Sequence, residues 1–317
     1  MLHFLPWRVR GFITAVLMGT NTVILCTLLI IAAFFKLLIP LPVWRRFCEW
    51  ILIGIASFWV SNNALILRLM HRIEWNIQGL ENVSLREWYL VISNHQSWVD
   101  IIVLQTIFRG KIPFLKFFLK KELIWVPFLG LAWWALDFPF MKRYSNEFLQ
   151  KHPDLKGKDI EITRKACRKF KTKPVSIMNF VEGTRFTKSK HEKQKSPYKN
   201  LLRPKAGGVA FVLGAMGEYL NSLVNVTISY PCGVKNFMEF ICGKVPRIDV
   251  QVEITPITED LLGDYFHDSV YREHFQNWVN QLWEKKDRDL DLLHLQRGEE
   301  PADTVPEVLV SESLGKC

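Results

Sequence analysis

An α/β fold, a mixed sheet flanked by helices, is what this sequence predicts, carried behind an N-terminal membrane-anchoring helical segment. Three observations lead there. Two long uncharged stretches fill the first 70 residues. Beyond them, short apolar runs of strand length alternate with longer helical patterns, the signature of a layered α/β body. The chain then ends in a polar, acidic tail. This divides the 317 residues into an anchor of one or two apolar helices over 1–70, a folded body over 71–297 and a disordered tail over 298–317.

Gly11 to Phe35 is a run of 25 residues without a charge, bounded by Arg8 and Arg10 before it and Lys36 after it. As a helix it reaches about 37 Å, longer than the roughly 30 Å hydrocarbon core of a bilayer. It exceeds the about 7–15 apolar residues of a secretory signal and lacks a clear cleavage site, so it is expected to be retained. Trp50 to Leu67 is a second uncharged stretch, weakened by Ser57, Ser61, Asn62 and Asn63. It is consistent with a span, a re-entrant hairpin or an interfacial helix. Ile39-Pro40-Leu41-Pro42 makes the corner between the two. Positive charges flank both stretches, which leaves the orientation undecided.

In the body, Trp75–Gly79 reads as an entry strand and Trp88–Ser93 as a buried one, nearly continuous in apolar residues. A helix starts near Asp100 and runs to Phe108. Lys111–Leu136 interleaves lysines with aromatics and reads either as core or as a surface dipping into lipid. Asp159–Phe170 is a helix with a basic face. Val175–Phe180, Leu223–Tyr230 and Arg247–Thr255 are strands, and Thr187–Asn200 is a polar loop. Lys205–Tyr219 is a helix, and Phe266–Lys286 closes the body with Phe275, Trp278, Leu282 and Trp283 on one side.

The formal charge of +10 is uneven: from Arg185 to Lys205 eight Lys or Arg face one acidic residue, Glu192. Such a surface suits anionic lipid and phosphorylated substrates, with nucleic acid as the competing reading. The six cysteines are scattered without metal-ligand spacing and read as reduced, which places the body on a cytoplasmic face.

Two clusters carry chemistry. Asn94-His95-Gln96-Ser97-Trp98-Val99-Asp100 follows one strand and sets an imidazole and a carboxylate five positions apart. A neutral imidazole accepts a proton near neutral pH, and a carboxylate on its other nitrogen fixes the tautomer. Phe180-Val181-Glu182-Gly183-Thr184-Arg185 follows another strand. There a guanidinium, a hydroxyl and turn amides can surround a phosphate. Between and after them stand Lys120-Lys121-Glu122-Leu123, Pro127-Phe128-Leu129-Gly130, Phe140-Met141-Lys142-Arg143 and Pro204-Lys205-Ala206-Gly207-Gly208.

This ordered set resembles the glycerolipid acyltransferases of the 1-acylglycerol-3-phosphate acyltransferase type, with signatures N-H-x(4)-D and F-P-E-G-T-R. It covers roughly residues 75–260, and its wording is most similar to the lysocardiolipin acyltransferase branch. Val181 replaces the family proline, and Met141-Lys142 replaces Ile-Asp. The resemblance implies an O-acyltransferase passing an acyl group from acyl-CoA or an acyl-carrier protein to a lysophospholipid, foremost lysophosphatidate. Acyl-chain remodelling of another lysophospholipid such as lysocardiolipin, or the role of a non-catalytic membrane-tethered basic binding protein, stands as the alternative. His95 and Asp100 are then the base and its orienting acid. Arg143, Glu182, Gly183, Thr184, Arg185, Lys120, Lys121 and Lys205 are the expected substrate-binding residues. Neither a metal nor a held cofactor is expected, the partners are membrane phospholipids and lysophospholipids rather than nucleic acid, and the place is a bacterial inner membrane.

Overall fold

The computed structural model describes residues 4–141, 164, 167, 170–171 and 173–299. Both N-terminal stretches are helical and longer than their uncharged cores: α1 spans Trp7–Leu38 and α2 spans Pro42–Met70. Pro42 sits in the first turn of α2, where a missing N–H costs nothing. The two run antiparallel as a hairpin. Leu29 and Ala33 of α1 share an apolar cluster with Leu52 and Ala56 of α2. Two of the polar residues that weaken the second stretch, Asn62 and Asn63, find partners inside the hairpin. Asn21 donates to the Asn63 carbonyl at 2.9 Å and accepts from Asn62 at 3.0 Å, and the Trp59 indole donates to Thr22 at 3.1 Å. Satisfying one another, these groups remain tolerable in an apolar environment. Both helices have the length and hydropathy to cross a membrane.

The body is built on a six-stranded mixed sheet in the order β1-β8-β7-β2-β6-β3. Its strands are β1 (Glu74–Gln78), β2 (Tyr89–Ser93), β3 (Leu115–Phe117), β6 (Ser176–Phe180), β7 (Ser222–Ser229) and β8 (Arg247–Pro256). β2, β3, β6 and β7 are mutually parallel; β8 runs antiparallel to β7, with β1 parallel to it. The carboxyl ends of the four parallel strands therefore share one edge, the usual ligand edge of an open α/β sheet. A small parallel pair, β4 (Leu119–Lys120) with β5 (Phe140–Met141), stands apart.

Alternation along β2 sorts the core into two layers. Leu90 and Ile92 face a cluster with Val209, Val212 and Leu213 of α6 (Ala206–Met216) and with Phe275 and Trp283 of α8 (Ser269–Glu299). Here α5 (Lys188–Gln194) precedes α6, and α7 (Phe237–Ile241) precedes β8. Tyr89 and Val91 face the opposite cluster, with Val103, Leu104 and Ile107 of α3 (Val99–Phe108).

Several expectations shift in detail. The polar loop expected over Thr187–Asn200 contains α5, capped by Thr187 accepting from the Lys190 amide at 3.3 Å. The closing helix runs past Lys286 to Glu299. The aromatic segment Lys111–Leu136 splits. Phe114, Phe117 and Trp133 pack against core, whereas Trp125, Phe128 and Trp134, on and around α4 (Leu129–Ala135), are exposed. Most of the basic helix expected over Asp159–Phe170 lies outside the described residues, although Arg164 donates to the Gly214 carbonyl. The expected tail over 298–317 also lies outside them, Gly298 and Glu299 of α8 excepted.

Candidate active site

His95 and Asp100 meet just beyond the carboxyl end of β2. The strand ends at Ser93, and the Asn94 side chain then continues its ladder to β7, donating to the Ile228 carbonyl and accepting from the Ile228 amide, both at 2.9 Å. That two-point clamp fixes the backbone from which His95 projects. The chain turns into α3, whose first turn carries Asp100. Asp100 Oδ2 lies 2.9 Å from His95 Nδ1 and accepts the amides of Gln96 at 2.6 Å and Ser97 at 2.9 Å. Its other oxygen accepts the Tyr230 hydroxyl at 2.5 Å. Asp100 is fully buried, so every partner it has is supplied by the fold. Burial, followed by the nearby Asp100 charge, pushes the Tyr230 hydroxyl well above its usual range, which keeps it a donor.

The imidazole is held flat against Phe180 of β6, ring centroids 3.8 Å apart at an interplanar angle of 13°. Nε2 makes no hydrogen bond to any described residue. One nitrogen is thus committed to a carboxylate, and the other is available to an incoming proton donor.

Glu182, expected among the substrate contacts, has a different role. It is fully buried and bridges three loops: Oε1 accepts the His95 amide and Oε2 the Leu202 amide, each at 2.9 Å. With both oxygens spent on backbone, it is a positioning residue. Desolvation pushes its carboxyl up to about 7, against the pull of these two amides.

The following turn is cationic. Gly183 adopts φ +68°, and a Cβ there would stand 3.1–3.3 Å from the Lys205 side chain, so glycine lets the two segments approach. The Lys190 ammonium donates to Thr184 Oγ1 at 2.7 Å and to the Arg185 carbonyl at 3.0 Å. The exposed Arg185 guanidinium lies 5.0 Å from the Trp98 ring centre, beside the His95–Asp100 loop. The Phe186 amide then closes back on the His95 carbonyl at 2.7 Å. Gly183, Thr184, Arg185 and Lys205 are thus gathered at one turn next to His95. Lys190, which sequence reasoning missed, joins them; its signal was the basic run it belongs to.

Lys120 and Lys121 stand three and four residues beyond the carboxyl end of β3. Lys120 pairs in register with Met141, which brings the two sequence blocks together. Arg143 lies outside the described residues.

Beneath the site, Lys286 of α8 is fully buried and donates to the Val226 carbonyl at 2.5 Å and to Thr227 Oγ1 at 3.1 Å. Burial lowers its ammonium to about 7, a drop moderated by Asp289, Glu182 and Glu253. Since its ordinary value is 10.5, the unfolded chain holds this proton across the window from about 7 to 10.5 while the folded chain has released it. Folding stability contributed by this group therefore rises with pH across that window. Lys286→Met should flatten the rise, as read by thermal unfolding in detergent from pH 7 to 10. An unchanged slope would contradict the assignment.

The chain is similar to known proteins over this same region. The family profile described as Acyltransferase matches residues 74–233. The 1-acyl-sn-glycerol-3-phosphate acyltransferase gamma of Mus musculus is 25% identical over 232 residues, 69% of this chain and 56% of its own length. The alpha form of Homo sapiens is 26% identical over 215 residues, 64% of each chain. The 2-acyl-1-lysophosphatidylinositol acyltransferase of Saccharomyces cerevisiae is 24% identical over 246 residues, 62% of this chain and 59% of its own. The chain thus spans somewhat over half the length of these relatives. The crystal structure of the 1-acyl-sn-glycerophosphate acyltransferase PlsC from Thermotoga maritima shares the fold, with a TM-score of 0.52 and 16% identity over 89% of this chain and 97% of that one. The matched span takes in β1, the His95–Asp100 loop, the Glu182–Arg185 turn and all of β7, and on it the chain belongs to the acyltransferase family.

Proposed function

We propose that this chain is a membrane-anchored O-acyltransferase that esterifies the free hydroxyl of a lysophospholipid, foremost lysophosphatidate to phosphatidate, from acyl-CoA or an acyl-carrier protein. The observation that carries this reading is the His95–Asp100 pair, with Nε2 available and a cationic turn beside it. The acceptor hydroxyl gives its proton to Nε2 as its oxygen bonds to the thioester carbonyl carbon. The tetrahedral intermediate then collapses, the carbon–sulfur bond breaks, and the departing thiolate takes the proton from the imidazolium. Asp100 stabilises that imidazolium and holds the tautomer that makes Nε2 the acceptor. Arg185, Lys190 and Lys205 hold the acceptor phosphate, so that binding energy remote from the hydroxyl positions it. The α1–α2 hairpin keeps the enzyme where its acceptor resides.

The direct test is full-length protein in vesicles with labelled acyl donors and a panel of lysophospholipids, read by mass spectrometry. Lysophosphatidate is expected to be the best acceptor. Preference for lysocardiolipin or lysophosphatidylinositol would reassign the headgroup and keep the chemistry, and no acyl transfer to any acceptor would refute it. Arg185→Lys keeps the charge and loses the fork, so use of a phosphate-bearing acceptor should fall about tenfold, in KM and kcat together. Unchanged kinetics would remove Arg185 from the site.

A further inference from the structure

The loop that follows β7 is ordered by its own backbone yet turns apolar side chains outward. The Gly233 amide donates to the Tyr230 carbonyl at 2.9 Å, with Gly233 at φ +83°. Asn236 and Glu239 form a reciprocal capping box at the start of α7. Ser97, two residues from His95, donates its hydroxyl to the Lys235 carbonyl at 2.7 Å, tying the loop to the catalytic loop. In this held frame Val234 is 47% exposed, Phe237 38% and Met238 62%, and Trp98 on the catalytic loop is 55% exposed. A loop held in place by such hydrogen bonds while its large apolar groups face outward marks a contact surface.

The place of the loop identifies the partner. α7 packs against the first turns of α1: the Arg10 guanidinium donates to the Cys242 carbonyl at 2.9 Å, and a Cβ on Gly11 would collide with Cys242 Sγ. Lys244 stands 4.6 Å from the ring centre of Trp7. Met238 stands one helical turn from Cys242, whose amide donates to its carbonyl, so this exposed end of the loop lies near the start of α1, where Trp7 and Phe12 are exposed and Arg8 and Lys244 stand close by. Aromatic and aliphatic side chains mixed with lysine and arginine are the composition of a surface that sits in the bilayer interface. A protein partner would not require this continuity with a membrane-grade helix.

We propose that Val234, Phe237, Met238 and Trp98 form a lip that dips into the lipid surface beside His95, over which a lipid acceptor reaches the base without passing through water. The passage of an acceptor rests on the acyltransferase reading above; the insertion of the lip does not. Two measurements on full-length protein in phosphatidylcholine–phosphatidylglycerol vesicles test it. A photoreactive diazirine amino acid placed at position 238 should give lipid adducts on irradiation. The same probe at the exposed Glu259, beyond the far end of β8, should give none. Absence of adducts at 238, or equal yields at both positions, overturns the lip.

The second measurement compares a long-chain lysophospholipid held in the vesicle with a short-chain, monomeric one. With Phe237→Asp and Met238→Asp combined, turnover of the vesicle-held acceptor should fall at least about tenfold, while the monomeric acceptor stays within about twofold of wild type. Equal losses on both would make the residues structural, and no loss on either would show that the acceptor does not cross them. If the wild-type protein acylates neither, the acyltransferase reading fails, and the photoadducts still decide the insertion.

Discussion

His95→Ala is expected to lower acyl transfer by about a hundredfold to ten-thousandfold, the range a positioned general base supplies. The imidazole is available to accept a proton only through Nε2, because Nδ1 is committed to Asp100. On the proposed mechanism its loss removes the acceptor of the hydroxyl proton and leaves the Gly183–Arg185 turn in place. Binding of a lysophosphatidate analogue should therefore change little while kcat collapses. The fold should tolerate the change, since the backbone of residue 95 is still clamped by Asn94, Glu182 and Phe186. The ring does stack on Phe180, so a modest loss of stability is expected. The measurement is single-turnover transfer from labelled acyl donor, with thermal unfolding of the same preparation. Retention of a tenth or more of wild-type turnover would rule out the mechanism.

Asp100→Asn should be about as severe, approaching ten-thousandfold if the tautomer is what the carboxylate controls. The structure adds a reason for severity. One oxygen of Asp100 serves His95 and two amides at once, and the other receives the Tyr230 hydroxyl. An amide nitrogen in either place presents a hydrogen where an acceptor is needed. If its oxygen stays with the two amides, Nδ1–H keeps an acceptor but the imidazolium loses its counter-charge. If the amide flips, its N–H faces Nδ1, and the ring adopts the tautomer that cannot take a proton at Nε2. Either way kcat falls more than KM. Asp100→Asn with turnover near wild type would show that the pair is structural and that the proton leaves by another path.

The longer strands and helices were legible in the residues themselves, because alternation of apolar side chains is a local property imposed by the pleat and the helical repeat, whereas the short β3, β4, β5, α4, α5 and α7 were not, being too brief to show a period. The two N-terminal helices were legible too, read from their lack of charge; the His95–Asp100 pair was singled out by the ordered motifs around it, its five-residue spacing only allowing one turn to close it. The partition of roles around that pair was not legible. Glu182 and His95 are 87 residues apart in sequence, and their contact exists because β2 and β6 are neighbours in the sheet. Only that adjacency buries the carboxylate and turns an expected substrate contact into a brace for the backbone at His95. Tyr230 reaches Asp100, and Asn94 reaches Ile228, because β7 lies on the other side of β2. The aromatic segment after Lys111 divided into core and exposed residues by what packed against each ring, which composition does not encode. Local pattern therefore determined the long elements and pointed to the His95–Asp100 pair. Strand order, a property of long-range pairing, decided which polar groups lost water and hence which ones brace the site and which ones stay exposed beside it.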